Sequence, residues 1–109
     1  MDISATEFDL RYQNDNSFII IDVREQLEFQ TFNLGGINIP LGAILTDIEN
    51  IDYEKEEEIV VICQRGLRSE TARRVLSQHG YKNVRNLTGG LLAVQKLKTK
   101  TSTKQNDYK

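Results

Sequence analysis

The residue most able to do chemistry in this chain is Cys63, its only cysteine. It ends the apolar run Ile59-Val60-Val61-Ile62 and opens the segment Gln64-Arg65-Gly66-Leu67-Arg68-Ser69, which leads into the helical pattern Glu70-Thr71-Ala72-Arg73-Arg74-Val75-Leu76. A buried strand, a short loop holding Gly and two Arg, and then a helix would put the sulfur at a helix N-terminus. Unpaired N–H groups and the positive end of the helix dipole converge at such a point. A free cysteine has a pKa near about 8.5, so only roughly 3% is thiolate at pH 7. Making the thiolate the major form means lowering that value by about two units, or about 2.7 kcal/mol of differential stabilisation. Nearby cations and aligned amides are the usual means. A lone cysteine is often a buried packing residue, but a strand end running into Gln-Arg-Gly-Leu-Arg is a poor place to hide one. The pattern therefore predicts a reactive thiol.

The elements that must position this thiol follow from the rest of the chain. With 109 residues it makes one domain, large enough to bury roughly two-thirds of its unfolded surface. A single cysteine cannot form an internal disulfide, so a reducing, cytoplasmic setting is the expectation. No apolar run has the length of a membrane helix, and Met1-Asp2-Ile3-Ser4 has none of the features of a signal peptide, so no membrane partner is expected. A net charge of −2 argues against a nucleic-acid module, whose footprint would be basic.

Ser4-Ala5-Thr6-Glu7 has the form of a capping box, with Ile3 and Phe8 as its hydrophobic staple, so a first helix starts near residue 5. Phe18-Ile19-Ile20-Ile21, ending at Asp22, suits a strand covered on both faces. A helical turn or two follows from Gln26 to Phe29, then a loop, a short extended piece and a stop at Pro40, then a short helix over 43–48. The strand before Cys63 leads to a helix from about Ser69 to Gln78, with Gly80 as its C-cap. Val84 to Leu87 forms a last short strand, Thr88-Gly89-Gly90 a turn, and Leu91 to Leu97 a terminal helix. From Lys98 to Lys109 the chain is rich in Lys and Thr with little to bury, and a disordered tail is expected. Strands alternating with helices predict an α/β fold, a central parallel sheet with helices on both faces. Ligands bind such sheets beyond the carboxyl ends of the strands, where Asp22 and Cys63 both fall.

Several segments, in order, resemble the rhodanese domain: Asp22-Val23-Arg24-Glu25, Glu28-Phe29, Asn38-Ile39-Pro40, Cys63-Gln64-Arg65-Gly66-Leu67-Arg68-Ser69, Gly80-Tyr81 and Gly89-Gly90. The likeness runs from about residue 4 to 97. It implies a sulfurtransferase that forms a persulfide on Cys63, within an active-site loop from Cys63 to Arg68 whose amides surround the sulfur. Gln64, Arg65, Gly66, Leu67 and Arg68 are then the substrate-binding residues. Neither cofactor nor metal is implied. The partners implied are a small anionic sulfur donor, such as thiosulfate, and a protein or low-molecular-weight thiol, or cyanide, as acceptor. The stretch Gly35 to Gly42 is similar to rhodanese domains fused to ubiquitin-like-protein adenylyltransferases, a likeness that assigns no partner. The chain departs from the family pattern at Phe32-Asn33, where members carry Gly-His, in the segment that follows, which is one residue short, and at Val94, where they carry Trp.

Within this frame each charged residue has an expected role. Arg65 and Arg68 can each stabilise a thiolate, a persulfide or an anionic donor. Arg65 is the substrate-facing charge of the two, and the favoured role of Arg68 is instead an inward pairing with Asp22 or Glu28. Asp22, Arg24 and Glu28 orient and anchor. Gly66 supplies an unusual backbone conformation or the close approach of a ligand, or serves as an ordinary turn glycine. His79, the only histidine, sits at a helix end and serves no catalytic dyad, and one Cys with one His cannot make a zinc site. Two other functions compete with sulfur transfer. Cys-x4-Arg-Ser also resembles cysteine phosphatases and arsenate reductases, but their loops hold five residues between Cys and Arg, the larger cradle a tetrahedral phosphate requires. A non-catalytic interaction module could keep the same fold, against which the intact Cys and Gly-x-Arg-Ser speak.

Overall fold

The computed structural model describes residues 2–14 and 17–106. Five strands, β1 (Asp2–Ile3), β2 (Ile19–Asp22), β3 (Ile37–Asn38), β4 (Ile59–Ile62) and β5 (Val84–Leu87), form one sheet in the order β1-β5-β4-β2-β3. All neighbours run parallel, with Ile19 to Asp22 of β2 in register with Ile59 to Ile62 of β4. The helices are α1 (Ala5–Asn14), α2 (Gln26–Thr31), α3 (Leu41–Thr46), α4 (Leu67–Gln78) and α5 (Gly90–Asn106), with a 3₁₀ turn at Ile48–Asn50.

The continuous apolar runs of β2 and β4 arise because the sheet is covered twice. Side chains alternate across a strand, so Ile20, Val60 and Ile62 join Phe8, Leu91 and Val94 beneath α1 and α5. Ile21, Ile59, Val61 and Cys63 join Ile44, Ala72 and Leu76 beneath α3 and α4. Full burial of each such side chain is worth about 1.5–3 kcal/mol. Ile62 and Cys63 therefore face opposite layers, which directs the sulfur toward α4. No helix among the described residues is long and apolar enough to cross a membrane.

The expected elements are present, with five differences. α3 spans Leu41–Thr46 and not 43–48, because it starts directly after Pro40 and gives way to the 3₁₀ turn at Ile48. β1 is an additional strand, two residues long, beside β5. Ser4 Oγ does accept the Glu7 amide at 3.0 Å, but the Glu7 carboxylate turns to Arg85 at 3.1 and 3.3 Å rather than closing a capping box. α4 starts at Leu67 and not near Ser69, because Gly66, at φ +94°, turns the chain directly into the helix. Finally, α5 does not stop near Leu97: residues 98–106, expected to be disordered, continue it. Leu91 and Val94 dock the first turns on the core, and adding a turn to an existing helix avoids the cost of nucleation. The last three residues of the expected tail lie outside the described residues.

Candidate active site

β4 delivers Cys63 to the carboxyl end of the sheet, and the chain bends there under tight control. The carbonyls of Cys63 and Gln64 accept the amides of Leu91 and Leu92 at 2.9 and 3.0 Å, so the first turn of α5 pins the loop from behind. Gly90 makes that approach possible: a Cβ there would fall 2.5 Å from both the Cys63 oxygen and the Gln64 carbonyl, at φ +66°. Gly66 then reverses the chain in the left-handed region, where a Cβ would sit 3.2 Å from the Gly89 nitrogen. Gly66 thus has the unusual backbone conformation expected from sequence, and the group that comes close to it is the backbone of Gly89.

The result is a loop folded around sulfur. Cys63 Sγ accepts the Gly66 amide at 3.1 Å and the Ser69 amide at 3.4 Å, and lies 3.3 Å from Ser69 Oγ. These donors belong to the N-terminus of α4, where the helix dipole favours negative charge. Cys63 is only 1% exposed. Burial opposes ionisation, while hydrogen bonds from the Ser69 side chain and the amides of Ser69, Arg65 and Gly66 favour it; the balance holds the thiol below its ordinary pKa.

Behind the loop stands Asn86 of β5, 7% exposed. Its Nδ2 donates to the Gly66 carbonyl at 3.0 Å, and its Oδ1 accepts the Ser69 hydroxyl. The opposite amide orientation would set oxygen against the Gly66 oxygen, so the assignment of donor and acceptor is fixed by the neighbours. Neither Ser69 nor Asn86 was assigned to the site from sequence. An asparagine inside a buried strand is a usable signal, since strands disfavour it and burial demands partners for its amide.

The charged residues separate into two groups. Asp22 and Arg24 form a closed pair away from the sulfur: Arg24 Nη2 and Nε lie 2.9 and 3.0 Å from the carboxylate, and Nη2 also donates to the Phe32 carbonyl. Asn38 Nδ2 caps the carbonyls of Asp22 and Arg24 at 3.0 and 2.9 Å, so this unit anchors the loop that follows β2. The second group borders the sulfur. Arg68 grips Glu28 bidentately at 2.7 and 3.1 Å, which makes Glu28 and not Asp22 its partner. The Arg68 hydrogen bonds hold the Glu28 carboxyl down at about 2. Glu28 also accepts the Glu25 amide at 3.0 Å, which caps α2 and fixes the carboxylate. Glu28, Cys63, Gln64, Arg65, Leu67 and Arg68 line an open cleft of about 290 Å³. Arg65 is exposed there and makes no ion pair with any described residue. His79 lies at the far end of the 12-residue α4, about 18 Å along the helix axis, with Nδ1 2.9 Å from the Val75 carbonyl.

This arrangement can hold an anionic sulfur nucleophile, with amides below it, an exposed cation beside it and an open cleft before it. Comparison with known proteins gives the same context. Residues 4–97 match the model of the rhodanese-like domain. The Bacillus subtilis protein named "Putative sulfur carrier protein YrkF" is 34% identical over 91 residues, covering 83% of this chain and 48% of that protein. The "Putative sulfurtransferase YtwF" of the same organism is 32% identical over 93 residues, covering 84% of this chain and 87% of that one. The crystal structure of a rhodanese-related protein from Thermoplasma volcanium superposes with a TM-score of 0.73 at 29% identity, covering 87% of this chain and 90% of the other. The chain spans about half or less of the length of the first curated relatives it matches. With the loop from Cys63 to Arg68 closed around its sulfur on a five-stranded parallel sheet, and with the match running from residue 4 to 97, the chain belongs to the rhodanese-like domain family.

Proposed function

We propose that the protein is a rhodanese-type sulfurtransferase or sulfur carrier, with Cys63 as the atom that takes and gives the sulfur. The observation that carries this reading is the cradle itself: Sγ accepts the Gly66 and Ser69 amides at 3.1 and 3.4 Å at the start of α4. With thiosulfate as donor, the Cys63 thiolate attacks the outer sulfur. The Sγ–S bond forms, the sulfur–sulfur bond of thiosulfate breaks, and its electron pair leaves with sulfite. Cyanide or a protein or small-molecule thiolate then attacks the outer sulfur of the persulfide, taking it away and restoring the Cys63 thiolate. Each half is a displacement at sulfur that needs no oxidant and no metal. Amide donors aimed at the anionic sulfur offset its charge in both halves, and Arg65 attracts the anionic donor into the cleft.

Phosphoryl or arsenate chemistry suits the loop less well. Only Gln64, Arg65, Gly66 and Leu67 separate Cys63 from Arg68, and the Arg68 guanidinium is committed to Glu28. A purely structural interaction module would not need a thiol held below its ordinary pKa. A thiol that must stay free for chemistry suits the reducing cytoplasm. Intact-mass measurement after treatment with thiosulfate, a low-molecular-weight persulfide or polysulfide tests the proposal. The expected result is a gain of about 32 Da that cyanide or reductant removes. A gain that survives reductant would signal sulfinic oxidation instead. Unchanged mass with every donor would overturn the sulfurtransferase reading.

A further inference from the structure

The proton of the Ser69 hydroxyl cannot serve two acceptors at once. Ser69 Oγ lies 3.3 Å from Cys63 Sγ and also donates to Asn86 Oδ1, whose orientation is locked by Nδ2 donating to the Gly66 carbonyl at 3.0 Å. While Cys63 is a thiol, the chain of donors runs one way: S–H to Ser69 Oγ, then Ser69 O–H to Asn86. When Cys63 loses its proton the sulfur becomes an acceptor only, and the Ser69 hydroxyl can donate to it only by rotating about its Cβ–Oγ bond, away from Asn86. The Oδ1 of Asn86, a buried residue, then loses its donor.

We infer that Asn86 is a positioning residue of the sulfur site, one that competes with the Cys63 sulfur for the Ser69 hydroxyl proton and so sets how readily the thiolate forms. Removal of its carbonyl oxygen leaves the hydroxyl free to turn to the sulfur. The competition acts on Cys63 through Ser69. Asn86 also holds the carbonyl of Gly66, whose amide donates to the sulfur, and the Ser69→Ala background separates the two routes. The charged groups that face the sulfur are Arg65 and Arg68 from the loop and the start of α4, and Glu28 from α2, with the closed Asp22–Arg24 pair beyond them. None of these hydrogen-bonds Asn86, whose side-chain partners are Ser69 and Gly66. The inference concerns the ionisation of Cys63 and is read by alkylation, without any sulfur donor. Failure of the sulfur-transfer proposal would appear in the mass experiment, and failure of this one in the pH profile.

The experiment is the rate of iodoacetamide alkylation against pH for the full chain and its variants, with thermal unfolding recorded for each. Ser69→Ala removes the hydroxyl and fits a helix without strain; it should raise the midpoint, because the thiolate loses a donor. Asn86→Ala, or Asn86→Val where a strand former is needed for folding, should lower the midpoint by about half a pH unit or more. The same Asn86 changes made in the Ser69→Ala protein should leave the midpoint where Ser69→Ala alone put it. A loss of stability shared by both backgrounds is expected from the broken bond to Gly66 and does not move this readout. Two results would overturn the inference: Ser69→Ala leaving the midpoint unchanged, or Asn86 substitutions shifting it equally with and without Ser69.

Discussion

Replacing Arg68 with alanine asks whether this arginine serves the fold or the chemistry. From sequence, Arg68 is expected to pair with Asp22 or Glu28 as a structural bridge, whose loss lowers Tm by several degrees if the partner left unpaired is buried. The bridge is to Glu28, but its side chains are 37% and 38% exposed, so the released carboxylate can hydrate. A pair that open is worth at most about 1 kcal/mol, which for a domain of this size means a fall in Tm of about 3–6 °C. The effect on reactivity should be larger. Glu28 lines the same cleft as Cys63, and without its partner it presents a bare negative charge to an anionic donor. Two unit charges set roughly 8 Å apart, at an effective dielectric between roughly 20 and 80, interact by about 0.5–2 kcal/mol, which sets the scale for charges that share one cleft. Arg68→Ala should therefore lower kcat/KM for thiosulfate by about tenfold while costing only a few degrees of stability.

The double variant Arg68→Ala/Glu28→Gln separates the mechanisms. If Arg68 works by neutralising Glu28, removing both charges restores most of the lost turnover. If Arg68 itself contacts the donor, the double variant stays as slow as the single one, and the reasoning fails. It fails in the other direction if Arg68→Ala lowers Tm by more than about 10 °C, since so large a loss belongs to a buried pair. Steady-state kinetics with thiosulfate and cyanide, and calorimetry of the same samples, supply both readings.

Three further outcomes are expected. Arg65→Ala should weaken thiosulfate use with Tm unchanged, because Arg65 is exposed and holds no described partner; a clear fall in Tm would assign Arg65 to the fold. Gly90→Ala should cost about 1–2 kcal/mol for the left-handed backbone alone and more for the Cβ placed 2.5 Å from the Cys63 and Gln64 carbonyls, with slower alkylation of the displaced loop; an unchanged melt and alkylation rate would refute the pinned loop. Glu28 and Glu70, held by Arg68 and Arg73, have their carboxyls at about 2 in the fold against an ordinary 4.5, so the unfolded chain takes up these protons first and stability should drain away as pH falls from about 4.5 to about 2. Thermal melts across that window should show a shallower decline for Glu28→Gln/Glu70→Gln, and an identical decline would refute the assignment.

What could be read from the chain, and what could not, divides along physical lines. β2 and β4 were legible because both faces of the sheet are covered, so every position of Ile19-Ile20-Ile21 and Ile59-Val60-Val61-Ile62 must be apolar. β1 was not, because two residues leave no pattern and its existence depends on pairing with Asn86 and Leu87 from the other end of the chain. The start of α4 was read two residues late for a reason that bears on function. Gly66 opens the helix, and the hydroxyl of Ser69, already inside its first turn, points inward to Cys63 and Asn86. The partner of Arg68 was narrowed correctly to two carboxylates, and the choice fell to Glu28 because Arg24, two residues from Asp22, already occupies that carboxylate. Asn86 escaped because the segment Val84 to Leu87 was read for packing alone. A buried amide in a strand has two hydrogen-bonding ends to satisfy, and strand geometry supplies neither. Here both partners, Gly66 and Ser69, lie in the loop around the sulfur, 20 and 17 residues back along the chain. The misplaced polar residue thus pointed at the active site from a segment that carries none of the recognisable motif, and only the fold could connect the two.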